Sequence, residues 1–209
     1  MQNRMIYVVF SATPLKVGSM IRVFTGEKYN HVSISFDPKL KTMYSYARYF
    51  KKTPLYAGLV KETPARYRNE GKTADICVCA IAMSKEQCRA VRRRLYQMCC
   101  RSQECRYNLL SASVALFSRR VFVPHCYTCI EFVTHILSMV CPEVYAGRFY
   151  SIEALRRLLI KNEIYSGPFP DIGDEIDEIY EKDVNFFDIC RLSYNGEKEL
   201  IKAYLNRDK

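Results

Sequence analysis

A chain of 209 residues, 49% hydrophobic and 26% charged, is long enough to bury one core and too apolar to stay disordered. No stretch approaches the ~18 uninterrupted apolar residues that a membrane-spanning helix needs. The opening MQNRMIYVVF lacks the longer apolar region and small-residue cleavage site of a secretory signal, so a cytoplasmic protein with free thiols is expected despite ten cysteines.

In chain order, residues 5–10 predict a buried first strand and residues 15–24 a short helix ending near Gly26. The alternating HVSISF of residues 31–36, a turn at Asp37-Pro38 and TMYSYA at 42–47 make a β-hairpin that His31 opens. Residues 53–73, rich in Pro, Gly and charge, read as loop around a short strand near 58–62, and residues 75–83 as a buried strand. Ser84 and Gln87 have the spacing of a capping box, opening a helix to about Arg101. Its basic residues include Arg89, Arg92, Arg93 and Arg94. Such a face is ordinarily solvated, and an anionic surface contact would run through Arg92, Arg93 and Arg94.

A second helical stretch spans 107–117, followed by Arg119-Arg120 and VFVP. Thr128 is the expected N-cap of an amphipathic helix over 129–140, in which Ile130, Val133, Ile136, Leu137 and Val140 recur at helical spacing. Ser151 caps a further helix to about Lys161, and residues 162–209 read as acidic and aromatic loop with a last helix over 196–206. The expected division is a domain over 1–161 and a C-terminal extension over 162–209 packed on or near it. The net charge of +10 invites an anionic partner, but seven acids crowd into residues 171–183 against one base, Lys182. That acidic stretch is expected to cover the arginine-rich helix, and no specific nucleic-acid partner is predicted.

A thiol in the first turn of a helix meets unsatisfied backbone N–H groups and the positive end of the dipole, which favour thiolate. Cys129 is therefore a candidate nucleophile, and imidazole is the natural partner to orient it and pass a proton to a leaving group. Of three histidines, His125 falls in the preceding loop and His135 six residues along the helix on its far side. His31, opening a strand, is left as the candidate base.

These segments resemble a family. YTCIEFV looks like the nucleophile motif of circularly permuted NlpC-type cysteine peptidases and amidases, and is similar to that of lecithin:retinol acyltransferase relatives. YNHVSISFDPKLKTMYSYAR resembles their histidine hairpin, with histidine ahead of cysteine as in the permuted members. RYNLLS at 106–111 resembles the tyrosine-bearing segment of this class, which assigns Tyr107 to the oxyanion site. The resemblance implies an α+β, circularly permuted papain-like fold with an antiparallel sheet packed on the nucleophile helix. It implies a cysteine hydrolase on a peptide, amide or ester substrate, working through a thioester with no cofactor. A polar residue on the strand after the histidine holds the imidazole in such enzymes, and here that strand offers Ser45 or Tyr46.

Other readings stand beside this one. Cys126 and Cys129 form a C-x-x-C at a helix start, the arrangement of dithiol redox proteins and half of a zinc site, although no second such pair appears. An acyltransferase or lipid esterase would use the same residues. A catalytically inert interaction module would keep the fold alone.

Overall fold

The computed structural model describes residues 4–13, 27–53, 55–69, 71–170 and 176–207; the helix expected at 15–24 lies outside the described residues. The strands are β1 (Arg4–Ala12), β2 (His31–Ser35), β3 (Met43–Arg48), β4 (Ala57–Glu62), β5 (Arg68–Asn69), β6 (Lys72–Thr73), β7 (Asp75–Met83) and β8 (Glu163–Pro168). The α-helices are α1 (Lys85–Cys100), α2 (Leu109–Val114), α3 (Cys129–Leu137), α4 (Ile152–Leu158) and α5 (Phe186–Leu205). Among the described residues the architecture is α+β: a six-stranded antiparallel sheet in the order β4-β3-β2-β1-β7-β8, a two-stranded β5-β6 ribbon and five α-helices. No described helix is long and apolar enough to cross a membrane.

The central strands read as continuous apolar runs because both faces of the sheet are covered. Ile6, Val8 and Phe10 of β1 face α1 and α3, while Val9 faces Met43, Tyr67, Ile76 and Phe169 on the other side. Helix α3 lays Phe132, Val133, Ile136 and Leu137, all at 0% exposure, on β2 and β3. Each such side chain contributes about 1.5–3 kcal/mol of burial free energy, so the helix carrying Cys129 is firmly seated. Val91, Leu95 and Met98 of α1 recur at helical spacing and join the same core, and the Ser84–Gln87 capping box forms as expected.

Three elements differ from expectation. The helix over 107–117 splits into α2 and a 3-10 turn at Ala115–Phe117, closed by Ser118 at φ 55°. The segment after 161, read as loop, supplies strand β8, which pairs with β7 and leaves most of its own residues exposed, so it carries no apolar alternation to announce it. The last helix, α5, begins at Phe186, where the Asn185 side chain accepts the Asp188 N–H, well before residue 196.

The acidic stretch does not cover α1 through its described residues. Asp177 bonds Arg66 at 2.7 Å, Glu181 bonds Lys51 at 2.8 Å and Asp183 bonds Lys52 at 2.6 Å, all on the β3–β4 side of the molecule. On α1 itself, Arg92 lies over the Phe36 ring at 4.5 Å and Arg94 Nε donates to His135 Nε2 at 3.0 Å, while Arg93 is exposed.

Candidate active site

Helix α3 starts at Cys129 because Thr128 and Glu131 close a capping box: the Thr128 hydroxyl accepts the Glu131 N–H at 3.3 Å, and Glu131 accepts the Thr128 N–H at 2.8 Å. Glu131 is fixed in turn by the Ser111 hydroxyl at 2.7 Å and by an ion pair with Arg120 at 3.5 Å. The Cys129 N–H belongs to the first turn, whose donors the helix cannot satisfy internally.

His31 is brought to this point by β2. The preceding Asn30 is pinned to the end of β1, its N–H donating to the Ser11 carbonyl at 3.0 Å and its side chain exchanging hydrogen bonds with Thr13 at 2.7 and 2.9 Å. The His31 ring lies within hydrogen-bonding reach of the Cys129 thiol. Its Nε2 meets the two Glu62 carboxylate oxygens at 3.0 and 3.3 Å, so Nδ1 is not engaged by that carboxylate.

Glu62 ends β4 at 3% exposure and also accepts the Tyr67 hydroxyl at 2.7 Å. With that proton spent, Tyr67 accepts from Ser33 at 3.2 Å, so the chain Ser33–Tyr67–Glu62–His31 reaches the thiol. Burial alone would drive His31 toward its neutral form, but the Glu62 charge, Cys129 and the hydrogen bonds to both outweigh it and raise the imidazole well above its ordinary 6.5. Burial would raise Glu62, yet His31, Arg66 and the Tyr67 hydroxyl hold its carboxyl below the ordinary 4.5. The two groups stabilise each other's charged forms.

Tyr107 also reaches Cys129 with its hydroxyl, and burial followed by the Cys129 charge pushes its ionisation well above the ordinary 10.0, keeping it a neutral donor. Its backbone is clamped on both sides: Tyr107 N–H donates to the Ala57 carbonyl at 2.9 Å, and Asn108 N–H to the Tyr127 carbonyl at 3.0 Å. Gly58 permits the first contact, since a Cβ there would collide with the Cys105 carbonyl and the Tyr49 hydroxyl.

The structure thus brings Cys129, His31 and Tyr107 into one cleft. Ser45 and Tyr46 do not hold the imidazole. The Ser45 hydroxyl is buried without a hydrogen-bond partner among the described residues. Tyr46 faces α3, packs against Tyr127 and Phe132, and donates its hydroxyl to the His125 carbonyl at 3.0 Å. The carboxylate comes instead from the next strand, as Glu62. The signal that could have found it is an acid ending an apolar strand just before Thr63-Pro64.

The second thiol of the C-x-x-C has a different environment. Cys126 packs with Val123 and Leu200, apart from the main core that holds Cys129, and burial pushes its thiol up to about 11. Both sulfurs are free. His125 sits in the loop at φ 60°, and His135 is pushed down to about 4 by burial, Arg94 and Arg120. No group of three or more His, Cys, Asp or Glu among the described residues is arranged to hold a metal ion.

Cys129, His31, Glu62 and Tyr107 line one cleft of about 320 Å³, within the range of small-ligand sites. Leu55, Ala57, Leu109 and Ala112 give it apolar lining, Arg48 and Arg66 give it charge, and Tyr180 of the C-terminal segment completes it. Compared with protein-family models, curated proteins and solved structures, the chain matches none.

Proposed function

We propose that the chain is a cysteine hydrolase of the circularly permuted papain-like, NlpC-type class, acting on a peptide, amide or ester carbonyl. The observation that carries this reading is His31, bonded on Nε2 by buried Glu62 and sharing its cleft with a thiol at the first position of a helix, which acts on the imidazole by charge and hydrogen bonding. A free structural cysteine needs neither a carboxylate-held imidazole nor a tyrosine hydroxyl beside it.

In the forward step the Cys129 sulfur attacks the carbonyl carbon and the carbonyl π electrons move onto oxygen. The Cys129 N–H and the Tyr107 hydroxyl are the donors available to that oxyanion, and each well-aimed donor is worth ~2.7–4 kcal/mol of barrier. His31, protonated because Glu62 raises its affinity for the proton, gives that proton to the departing amine or alkoxide as the bond to it breaks. A thioester on Cys129 remains. Neutral His31 then takes a proton from water as the water oxygen attacks, and the acid leaves as sulfur is expelled. Replacing water by an alcohol or amine gives an acyltransferase through the same intermediate, and the apolar lining from Leu55, Leu109 and Ala112 suits an acyl chain.

The test is turnover of fluorogenic amide and ester probes together with alkylation by iodoacetamide, read residue by residue by mass spectrometry. Cys129 is expected to label ahead of the other nine thiols, Cys129→Ala to lose all turnover, and His31→Ala to slow it about a hundredfold or more. Activity surviving in Cys129→Ala, or uniform labelling of all ten thiols, overturns the reading. Equal loss on Cys126→Ser would move it to dithiol chemistry.

A further inference from the structure

The charged groups of the cleft are matched in pairs, with one exception. Glu62 is bonded to His31, and Arg66 to Asp177 at 2.7 Å. Arg48, at the end of β3, has no carboxylate partner among the described residues. Its Nη1 donates to the Lys51 carbonyl at 3.0 Å and its Nη2 to the Tyr180 hydroxyl at 3.2 Å, both neutral acceptors. A guanidinium carries five N–H donors in a fork shaped for a carboxylate, so most of its capacity is unspent.

Tyr180 is held where it can share that task. Asp177, at 8% exposure, accepts the Tyr180 N–H at 3.0 Å while bonding Arg66, and the Arg66 guanidinium lies over the Tyr180 ring at 4.5 Å. The Tyr180 oxygen accepts from Arg48, so its own proton remains to be donated. Two donors, one of them charged, therefore meet in the cleft that holds Cys129, and among the described residues no carboxylate is bonded to Arg48.

We infer that Arg48 and Tyr180 form a carboxylate-binding corner, so that the favoured substrate is an acyl donor bearing a carboxylate close to the carbonyl that Cys129 attacks. This rests on Cys129 being the nucleophile. The corner selects for an anionic substrate group by hydrogen bonding and charge together, and it makes the C-terminal segment part of substrate recognition.

Iodoacetate and iodoacetamide provide the test, since they are nearly the same size and differ in a carboxylate against a carboxamide. The readout is the ratio of their alkylation rates at Cys129. The attraction of the His31 imidazolium for iodoacetate is common to all variants, so the change in ratio between variants isolates Arg48. Arg48→Met is expected to lower the iodoacetate-to-iodoacetamide ratio about tenfold, the usual scale for a lost charge-assisted hydrogen bond, and Tyr180→Phe by a smaller factor. Arg48→Gln, which retains an N–H donor without the charge, is expected to fall nearly as far and stands in should Arg48→Met not fold. A ratio unchanged in both Arg48 variants overturns the inference. Cys129 inert to iodoacetamide in the unaltered protein would instead remove the nucleophile reading beneath it.

Discussion

Around the cleft, Glu62, Arg66 and Asp177 are at 3%, 9% and 8% exposure, and each is tied to an oppositely charged or hydroxyl partner at 3.0 Å or less. Along α1, Lys85, Arg89 and Arg93 are exposed and turned to water. The residue types overlap; the surroundings differ. Away from water a charge interacts strongly with its neighbours and pays heavily for losing them, whereas on the surface solvent screens both gain and loss. Chemistry that needs a proton held on a particular nitrogen belongs in the first setting, and the β3–β4 side of the sheet provides it.

The sharpest way to break this contrast is Glu62→Gln. The change keeps the shape and removes the charge that holds the His31 proton, and activity on an amide probe is expected to fall at least a hundredfold, with stability lower by ~3 kcal/mol in a urea titration. Retained activity would mean that Glu62 is not the orienting group. The same variant tests the pH dependence. Glu62 has a lowered pKa in the folded state, so its contribution is present above its ordinary 4.5 and is lost as pH falls through the lowered value. His31 has a raised one, so its contribution is present below the ordinary 6.5 and fades as pH rises toward about 10. The difference in thermal midpoint between the unaltered protein and Glu62→Gln is expected to peak between those ordinary values and to shrink on both sides; a flat difference would contradict a mutually charged pair.

A smaller effect is expected for Asp177→Ala. It strands the Arg66 guanidinium at 8% side-chain exposure and frees Tyr180, which predicts a loss of about 2–3 kcal/mol together with weaker substrate binding, seen as a raised KM. An unchanged midpoint and KM would mean that the segment carrying Asp177 is only loosely applied. Smallest of all is Arg93→Ala, for which no measurable shift in midpoint is expected. A loss as large as that of Asp177→Ala would erase the distinction drawn between the two regions.

Cys129 could be read from the sequence because its signal is local: a capping residue, an apolar period and a proline limit all lie within fifteen residues or so. His31 was within reach because its alternating strand and turn are equally local, and because only two other histidines compete. Glu62 is not, since its role comes from a partner 31 positions away and nothing near the end of its short strand marks that partner. Ser45 and Tyr46 are the polar side chains that position along the hairpin offers, but strand alternation turns Tyr46 toward α3 and a serine side chain is too short to replace a carboxylate arriving from β4. Charge composition misled in a similar way. The acidic segment finds the cations that its fold brings near, Lys51, Lys52 and Arg66, and not the densest cationic run in the sequence.

Strand β8 has a practical consequence for anyone trimming the chain. Cutting after residue 161, where composition changes, would remove the neighbour that β7 pairs with on that side and bare its hydrogen-bonding edge over the apolar run Asp75–Cys79. Long apolar edges recruit other chains, so such a fragment would be prone to self-association even with every residue of the thiol–imidazole pair present. The thiol–imidazole pair is encoded early, but the strand that covers this edge of its sheet arrives late.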